Sequence, residues 1–101
     1  MASYVTIADW QDVEDGYVVD VTIRQTDAEA YPSGWDYSLH LGVVGGDTVL
    51  RYDNAHERPK GHERHTRDGV DTVEFPGMLA LYERFKREAE QMTPVSWDWP
   101  E

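Results

Sequence analysis

The sequence predicts an α+β fold, in which an antiparallel sheet of four to five strands carries a C-terminal helix on its apolar face. Three observations support this prediction. Several segments alternate apolar and polar residues, turn residues separate these segments, and one segment of helical periodicity follows them. The 101 residues suffice for one small core. We therefore expect a single domain over residues 1–101, with its core at 16–92 and an acidic, aromatic tail at 93–101.

The first strands are predicted before residue 35. Residues 4–7 indicate a short strand or an extended lead-in, and residues 10–16 (WQDVEDG) indicate an acidic turn. In residues 17–26 (YVVDVTIRQT), apolar residues alternate with mostly polar ones, which predicts a strand with one buried face. Proline and glycine punctuate residues 27–34, which predicts a connection.

A hairpin is predicted next. Residues 35–44 (WDYSLHLGVV) and 48–53 (TVLRYD) both alternate with a period of two, and Gly45-Gly46-Asp47 between them is a hairpin turn signal. Because side chains alternate between the faces of a strand, apolar residues fill one face of this hairpin and polar residues the other.

The polar face of the hairpin is a candidate site. A tight turn pairs His40 with Arg51 and Ser38 with Asp53, whereas a loop longer by two residues pairs His40 with Asp53. Both registers place His40, Arg51 and Asp53 on the same face, so the prediction does not depend on the choice between them.

The second half of the chain predicts a loop, a strand and a helix. Residues 54–69 indicate a long polar loop, and loops of this length often have a function. Residues 70–75 predict another strand, and residues 77–92 predict a helix whose apolar residues recur at spacings of three and four. We predict that Trp97 and Trp99 dock back on the domain, contact with a partner being the alternative.

The charge is strongly negative, with 20 Asp/Glu against 9 Lys/Arg and a net charge of −11. Such a surface repels phosphate backbones and itself, which is easiest to tolerate where molar salt shortens the screening length to about 3 Å. We interpret the charge as adaptation to a halophilic organism, the alternative being an acidic protein with a basic partner. Residues 51–68 differ, since five Lys/Arg outnumber four Asp/Glu there. This positive island can receive an anion.

Several classes of protein are disfavoured. The chain has no cysteine, which excludes disulfides, thiolate metal sites and cysteine nucleophiles. No apolar run approaches the roughly 20 residues that span a bilayer, and the N-terminus lacks the features of a signal peptide. We therefore expect a cytoplasmic protein without a membrane partner and without a cofactor.

The predicted loop contains three of the four histidines, spaced H-x5-H-x2-H. With Asp53, the side chains of His56, His62 and His65 could hold a divalent metal. A metal-independent ribonuclease instead needs a base for the ribose 2′-hydroxyl, an acid for the leaving oxygen and cations for the phosphate. Histidine suits the first two roles near neutral pH, and arginine and lysine suit the third. The loop and the neighbouring strand supply all three.

The order of these residues resembles a known family. Arg51-Tyr52-Asp53-Asn54 followed by Lys60-Gly61-His62-Glu63-Arg64-His65 resembles the TumE family of toxin–antitoxin proteins. Its members have a strand ending in a YDN motif, then a Lys-Gly-Asp-His-Arg-His stretch and a C-terminal helix with a Leu and Phe stripe. The resemblance covers about residues 16–92. Here one residue, rather than two, separates Lys60 from His62.

The resemblance implies a toxin of a type II toxin–antitoxin system that acts on RNA. The implied partners are a cognate antitoxin and RNA, and a homodimer is a further expectation. We hypothesise that His62 and His65 form the acid/base pair of an endoribonuclease, with His40 in reserve and Asp53 beside them. The expected phosphate-binding and loop-orienting residues are Arg51, Asn54, Lys60 and Arg64.

Two alternatives remain open. The first is a non-catalytic interaction or nucleic-acid-binding domain whose basic loop contacts an acidic partner or a nucleic acid. The second is a protein that binds a divalent metal through its histidines and Asp53.

Overall fold

The computed structural model describes residues 2–97 and residue 99. Six strands form one antiparallel sheet in chain order. The elements are β1 (Tyr4–Glu14), β2 (Tyr17–Thr26), β3 (Trp35–Val43), β4 (Thr48–Asp53), α1 (Glu57–Lys60), β5 (His62–Thr66), β6 (Gly69–Val73) and α2 (Met78–Met92). The α+β class and the antiparallel sheet with its C-terminal helix are confirmed, but the sheet has six strands rather than four to five. Neither helix of the described part is long and apolar enough to cross a membrane.

The acidic turn predicted for residues 10–16 is wrong. β1 continues through Glu14, and only Asp15 and Gly16 form the turn, both with positive φ. β1 is an edge strand whose side chains are largely exposed, so acidic residues are tolerated throughout its length. The apolar alternation that reveals a half-buried strand is therefore weak here.

The long polar loop predicted for residues 54–69 is also wrong. This segment contains α1, β5 and the start of β6, and β5 pairs with strands on both sides. Every residue of β5 (HERHT) is polar. Strand prediction from periodicity depends on apolar residues at every second position, so a strand with His62 and Arg64 at those positions gives no such signal.

The hydrophobic core lies between α2 and one face of the sheet, which we call the helix face. α2 packs mainly on β3 and β4. The buried residues of this core include Val19, Val21, Leu39, Leu41, Leu50 and Tyr52 of the sheet and Met78, Leu81, Phe85 and Ala89 of α2. The buried residues of α2 recur at spacings of three and four, which confirms the predicted amphipathic helix.

The residues that follow α2 return to the domain. Val95 and Trp97 are buried, and the ring of Trp99 packs at 5.8 Å from Trp10 and 6.1 Å from Phe85, measured between centroids. The predicted docking of Trp97 and Trp99 is confirmed. Asp98, Pro100 and Glu101 of the predicted tail lie outside the described residues, as does Met1.

The other side of the sheet, which we call the open face, carries the polar side chains of the hairpin. The tight-turn register is confirmed, because His40 pairs with Arg51 and Ser38 pairs with Asp53. The amide of Val43 donates to the carbonyl of Asp47 at 2.9 Å and closes the turn.

A polar cluster joins the helix face of the sheet to α2. Arg64 donates to Glu88 Oε2 at 2.7 Å and to the hydroxyl of Tyr52 at 3.1 Å, and this hydroxyl donates to Glu88. Burial, together with the hydrogen bond to Glu88, raises the pKa of Tyr52 to about 12. The side chains of Arg64 and Glu88 are only 20% and 18% exposed, so solvent screens this ion pair less than a surface pair.

We expect Arg64→Met to lower the free energy of unfolding by about 2 kcal/mol, because Glu88 and Tyr52 lose charge-assisted hydrogen bonds in a partly buried site. Urea unfolding measures this change. Arg67 lies exposed in the next turn, so Arg67→Met is the matched control and should cost less than about 0.5 kcal/mol. Equal stability of the two variants would contradict a role for Arg64 in fixing α2.

Candidate functional site

Three polar side chains lie next to one another across the middle of the open face. His40 of β3 is opposite Arg51 of β4, and Arg51 is opposite His65 of β5. Directly opposed residues share a face, with Cβ atoms about 5 Å apart. We call these three residues the central row. Because α2 packs on the other face, the row is accessible, and the side chains of Arg51 and His65 are 43% and 30% exposed.

Two carboxylates flank His65. Asp53 and Glu63 oppose each other across β4 and β5. His65 Nε2 lies 3.2 Å from Asp53 Oδ2 and 3.7 Å from Glu63 Oε1, and Arg51 Nε lies 3.0 Å from the same Asp53 oxygen. The nearly buried Asp53 is therefore close enough to pair by charge with Arg51 and with a protonated His65, although Arg51 Nε and His65 Nε2 make no hydrogen bond within the part of the chain that the structure describes. Since Nε2 faces the carboxylates, Nδ1 is the imidazole nitrogen that remains for a ligand.

His40 lies at the other end of the row, beside Gly42. A Cβ atom at position 42 would lie 2.8 Å from His40 Nε2, so the absence of a side chain there leaves room for the ring. Burial lowers the pKa of His40 below its ordinary value, the guanidinium of Arg51 lowers it further, and Asp20 opposes the shift. His40 is therefore a neutral imidazole at pH 7 and can accept a proton.

Within residues 2–97 and residue 99, one group of side chains, on the open face, could hold a metal ion. Asp53, Glu63 and His65 each offer a ligand atom, and these atoms lie within 4.8 Å of one another. The set of four ligands predicted from the sequence is not gathered, because His56 is exposed at the start of α1 and His62 lies on the helix face. The guanidinium beside Asp53 also disfavours a second cation at this carboxylate.

His62 lies on the opposite face from His65, because residues three apart in a strand point to opposite sides. The predicted acid/base pair is therefore not brought together. His62 Nδ1 lies 2.8 Å from the hydroxyl of Tyr37, Nε2 lies 3.2 Å from Glu57 Oε1, and the ring stacks on Phe75 at 4.4 Å. A carboxylate can only accept, so Nε2 carries the proton and Tyr37 donates to Nδ1.

Asn54, the last residue of the YDN motif, is fully buried in a hydrogen-bond network. Its Oδ1 accepts from the amide of Tyr37 at 3.0 Å, and its Nδ2 donates to the carbonyl of Trp35 and, at 2.9 Å, to Glu57. Glu57 also accepts from the hydroxyl of Ser33 at 2.6 Å. Burial raises the pKa of Glu57, but the hydrogen bonds from Ser33 and Asn54 outweigh it and lower the pKa overall.

The other predicted phosphate-binding residues are divided between different surfaces. Arg51 is on the open face within the central row. Arg64 is on the helix face and is paired with Glu88. Lys60 is exposed at the end of α1. The structure therefore brings together His40, Arg51, Asp53 and His65, half of the residues predicted for the site.

Tyr37, Glu57 and Glu63 take part in these contacts but were not predicted as site residues from the sequence. For Glu63 a signal exists, since alternation within HERHT puts Glu63 and His65 on one side once a strand is assumed. For Glu57 there is none, because its burial depends on a contact with Ser33, 24 residues away in the sequence.

A model of a toxin family matches residues 4–93, which is most of the chain. The family is described as Toxin TumE, and the chain belongs to it. A toxin of a toxin–antitoxin system has an antitoxin as its partner, so the family match also suggests this partner. No match was found among curated proteins or among solved structures.

The stability of the protein should depend on pH through His62. Burial lowers the pKa of His62, and the carboxylate of Glu57 opposes this only in part. The unfolded chain therefore binds more protons than the folded protein just below the ordinary histidine pKa of about 6.5. We expect the free energy of unfolding to be highest above pH 6.5 and to fall as the pH drops towards 5. Urea unfolding between pH 5 and 7.5 measures this dependence.

The variant His62→Gln removes the ionisable ring, so its stability should fall less steeply over the same pH range. The slope should not vanish, because the pKa of His40 is also lowered. His56→Gln, at an exposed histidine, is the control and should keep the wild-type slope. If the free energy of unfolding of His62→Gln falls with pH as steeply as that of the wild type, His62 is not the source of the pH dependence.

We expect Asn54→Ala to lower the free energy of unfolding by about 3 kcal/mol, because it leaves buried partners of Asn54 without hydrogen bonds. The exposed Lys60→Ala variant should change stability by less than about 0.5 kcal/mol. Thermal or urea unfolding compares them. A loss below about 1 kcal/mol for Asn54→Ala would favour a ligand-binding role for this side chain over a structural one.

Proposed function

We propose that this toxin is a metal-independent endoribonuclease whose acid/base site is the central row on the open face. One observation carries the proposal: His40, Arg51 and His65 are cross-strand neighbours on a face that α2 does not cover. The family match supports a toxin, and the row supplies the three functions that RNA cleavage without metal requires.

Each residue of the row has a role in the proposed reaction. His40, neutral at pH 7, takes the proton of the ribose 2′-hydroxyl while the 2′-oxygen bonds to phosphorus. His65, in its doubly protonated form, gives a proton to the 5′-oxygen as the P–O bond to it breaks, leaving a 2′,3′-cyclic phosphate and a free 5′-hydroxyl. Asp53 and Glu63 balance the positive charge of this form of His65.

The spacing of the row fits this reaction. His40 and His65 are on strands separated by β4, so their backbones lie about 10 Å apart, twice the interstrand spacing of about 4.8 Å. A phosphate above Arg51 would lie between the two strands that carry the histidines. In-line displacement requires the base and the acid on opposite sides of phosphorus, and β3 and β5 flank β4 on its two sides.

Arg51 is positioned to bind the phosphate. Its Nε faces Asp53, and the side chain is nearly half exposed. With Nε beside the carboxylate, the terminal guanidinium nitrogens can contact two phosphate oxygens together. The negative charge that develops on these oxygens in the transition state is thereby stabilised.

The acidic surface sets the conditions under which RNA can bind. A net charge of −11 repels RNA at low salt, whereas molar salt reduces the range of that repulsion to about 3 Å and leaves direct contacts intact. The proposal therefore includes a halophilic source. It also includes action in the cytoplasm, where a toxin meets RNA.

Growth of a haloarchaeal host without the antitoxin gene tests the function. Induction of the wild-type chain should arrest growth, and His40→Ala or His65→Ala should relieve the arrest. Both residues lie on the open face, so their replacement should leave the fold intact, which circular dichroism checks. His56→Ala removes an exposed histidine outside the row and should remain as toxic as the wild type.

Cleavage of RNA by the purified proteins in EDTA gives the second measurement. General acid/base catalysis contributes about 100- to 10,000-fold to the rate, so each row variant should lose at least about 100-fold. Full activity of a folded His40→Ala/His65→Ala protein would eliminate the site. Activity that EDTA abolishes would favour a metal at Asp53, Glu63 and His65, and RNA binding without cleavage would favour the non-catalytic alternative.

A further inference from the structure

An apolar groove lies on the helix face at the β1 end of the sheet. Its volume is about 440 Å³. The residues that border it include Ile7, Trp10, Ile23, Trp35, Leu79 and Tyr82. Because α2 packs mainly on β3 and β4, a groove remains between its first turns and β1, and Trp99 packs against Trp10 beside it. The groove is on the opposite side of the sheet from the central row.

Large apolar side chains are exposed on both sides of the groove. Ile7 is 55% exposed on β1, and Leu79 is 74% exposed on α2. Val5, two residues before Ile7, is also exposed. Single exposed apolar residues are common, but a group of them beside an apolar groove is typical of an interaction surface.

The edge of the sheet beside the groove is available for pairing. β1 is 11 residues long and is the first strand of the sheet, so the backbone groups on its outer side have no strand partner in the described part of the chain. It contains no proline and no lysine, two residues that commonly protect edge strands from pairing, although a bulge interrupts its register with β2 between Thr6 and Ala8. An extended segment of another protein can therefore add to this edge as a further strand.

The charge around β1 indicates which segment would fit. Residues 1–23 contain no lysine or arginine. Their acidic residues are Asp9, Asp12, Glu14, Asp15 and Asp20. A second copy of the chain paired at this edge would place like charges against one another, which destabilises a sheet. A segment that carries lysine or arginine beside its apolar side chains would instead be attracted.

We propose that the groove and the outer edge of β1 bind the antitoxin. The bound part is an extended segment that adds to β1, inserts apolar side chains between Ile7 and Leu79, and directs Lys or Arg towards the acidic residues of β1. This proposal rests on the family membership and on the antitoxin that it suggests. It does not depend on RNA cleavage, so the two proposals can fail separately.

Binding of the product of the adjacent antitoxin gene to the full chain tests the proposal. Ile7→Asp and Leu79→Asp each place a charge at the groove and should weaken the binding at least about tenfold, measured as the Kd of the purified proteins. Val44→Asp is the matched control, since Val44 is 54% exposed in the β3–β4 turn. It adds the same charge and should leave the Kd within about twofold of the wild-type value.

Two further measurements separate the parts of the proposal. Asp9→Lys/Asp12→Lys should also weaken binding, because it repels a basic segment, and tighter binding would overturn the predicted charge of the partner. An unchanged Kd for both groove variants would overturn the site. In place of the homodimer expected from the sequence, sedimentation of the chain alone should show a monomer. A dimer that Ile7→Asp dissociates would assign the groove to a second copy instead.

Binding and catalysis are distinguishable in the same experiment. The His40→Ala/His65→Ala chain should bind the antitoxin as tightly as the wild type, whether or not the row cleaves RNA. Conversely, the groove variants should remain toxic and should need more antitoxin than the wild type for neutralisation. Loss of toxicity in the folded groove variants would contradict the separation of the two surfaces.

Discussion

The packing of α2 against one face of the sheet determines the role of each polar residue in β4 and β5. Because side chains alternate along a strand, a difference of one position moves a side chain from the core to the open face. His65 therefore lies beside Arg51 on the open face. His62 and Arg64 point to the other side of β5, so they lie on the helix face and need polar partners there. The same alternation thus separates a ligand-accessible histidine from a structural one within a five-residue strand.

His62 and Arg64 are tolerated on the helix face because each of these polar side chains has polar partners there. Arg64 is neutralised by Glu88, and His62 lies between Tyr37 and Glu57. A register shift of one residue between β4 and β5 would break both sets of contacts and bury unsatisfied groups, which is costly. These contacts therefore specify the register that places His65 opposite Arg51, although none of them touches the open face.

Periodicity predicts the strands in which apolar and polar residues alternate clearly. It does not predict a strand such as β5, in which every residue is polar. β2, β3, β4 and α2 follow from periodicity, as does the common face of His40, Arg51 and Asp53. β5 could not be predicted in this way, and the hypothesis therefore pairs His65 with His62, which lies on the opposite face. The burial of Glu57 depends on Ser33, a contact between distant residues that no local pattern encodes.

The two proposed surfaces lie on opposite faces, so filling the groove does not by itself cover the central row. They are nevertheless connected across the sheet. Gln11 of β1 is opposite Asp20 of β2, and Asp20 is opposite His40. An antitoxin strand added to β1 would lie beside Gln11, at the end of the row of residues that runs through Asp20 to His40. The rest of the bound antitoxin would then lie at the border of the open face. Direct cover of the central row would still require another part of the antitoxin to cross β1, β2 and β3, because Arg51 lies on β4.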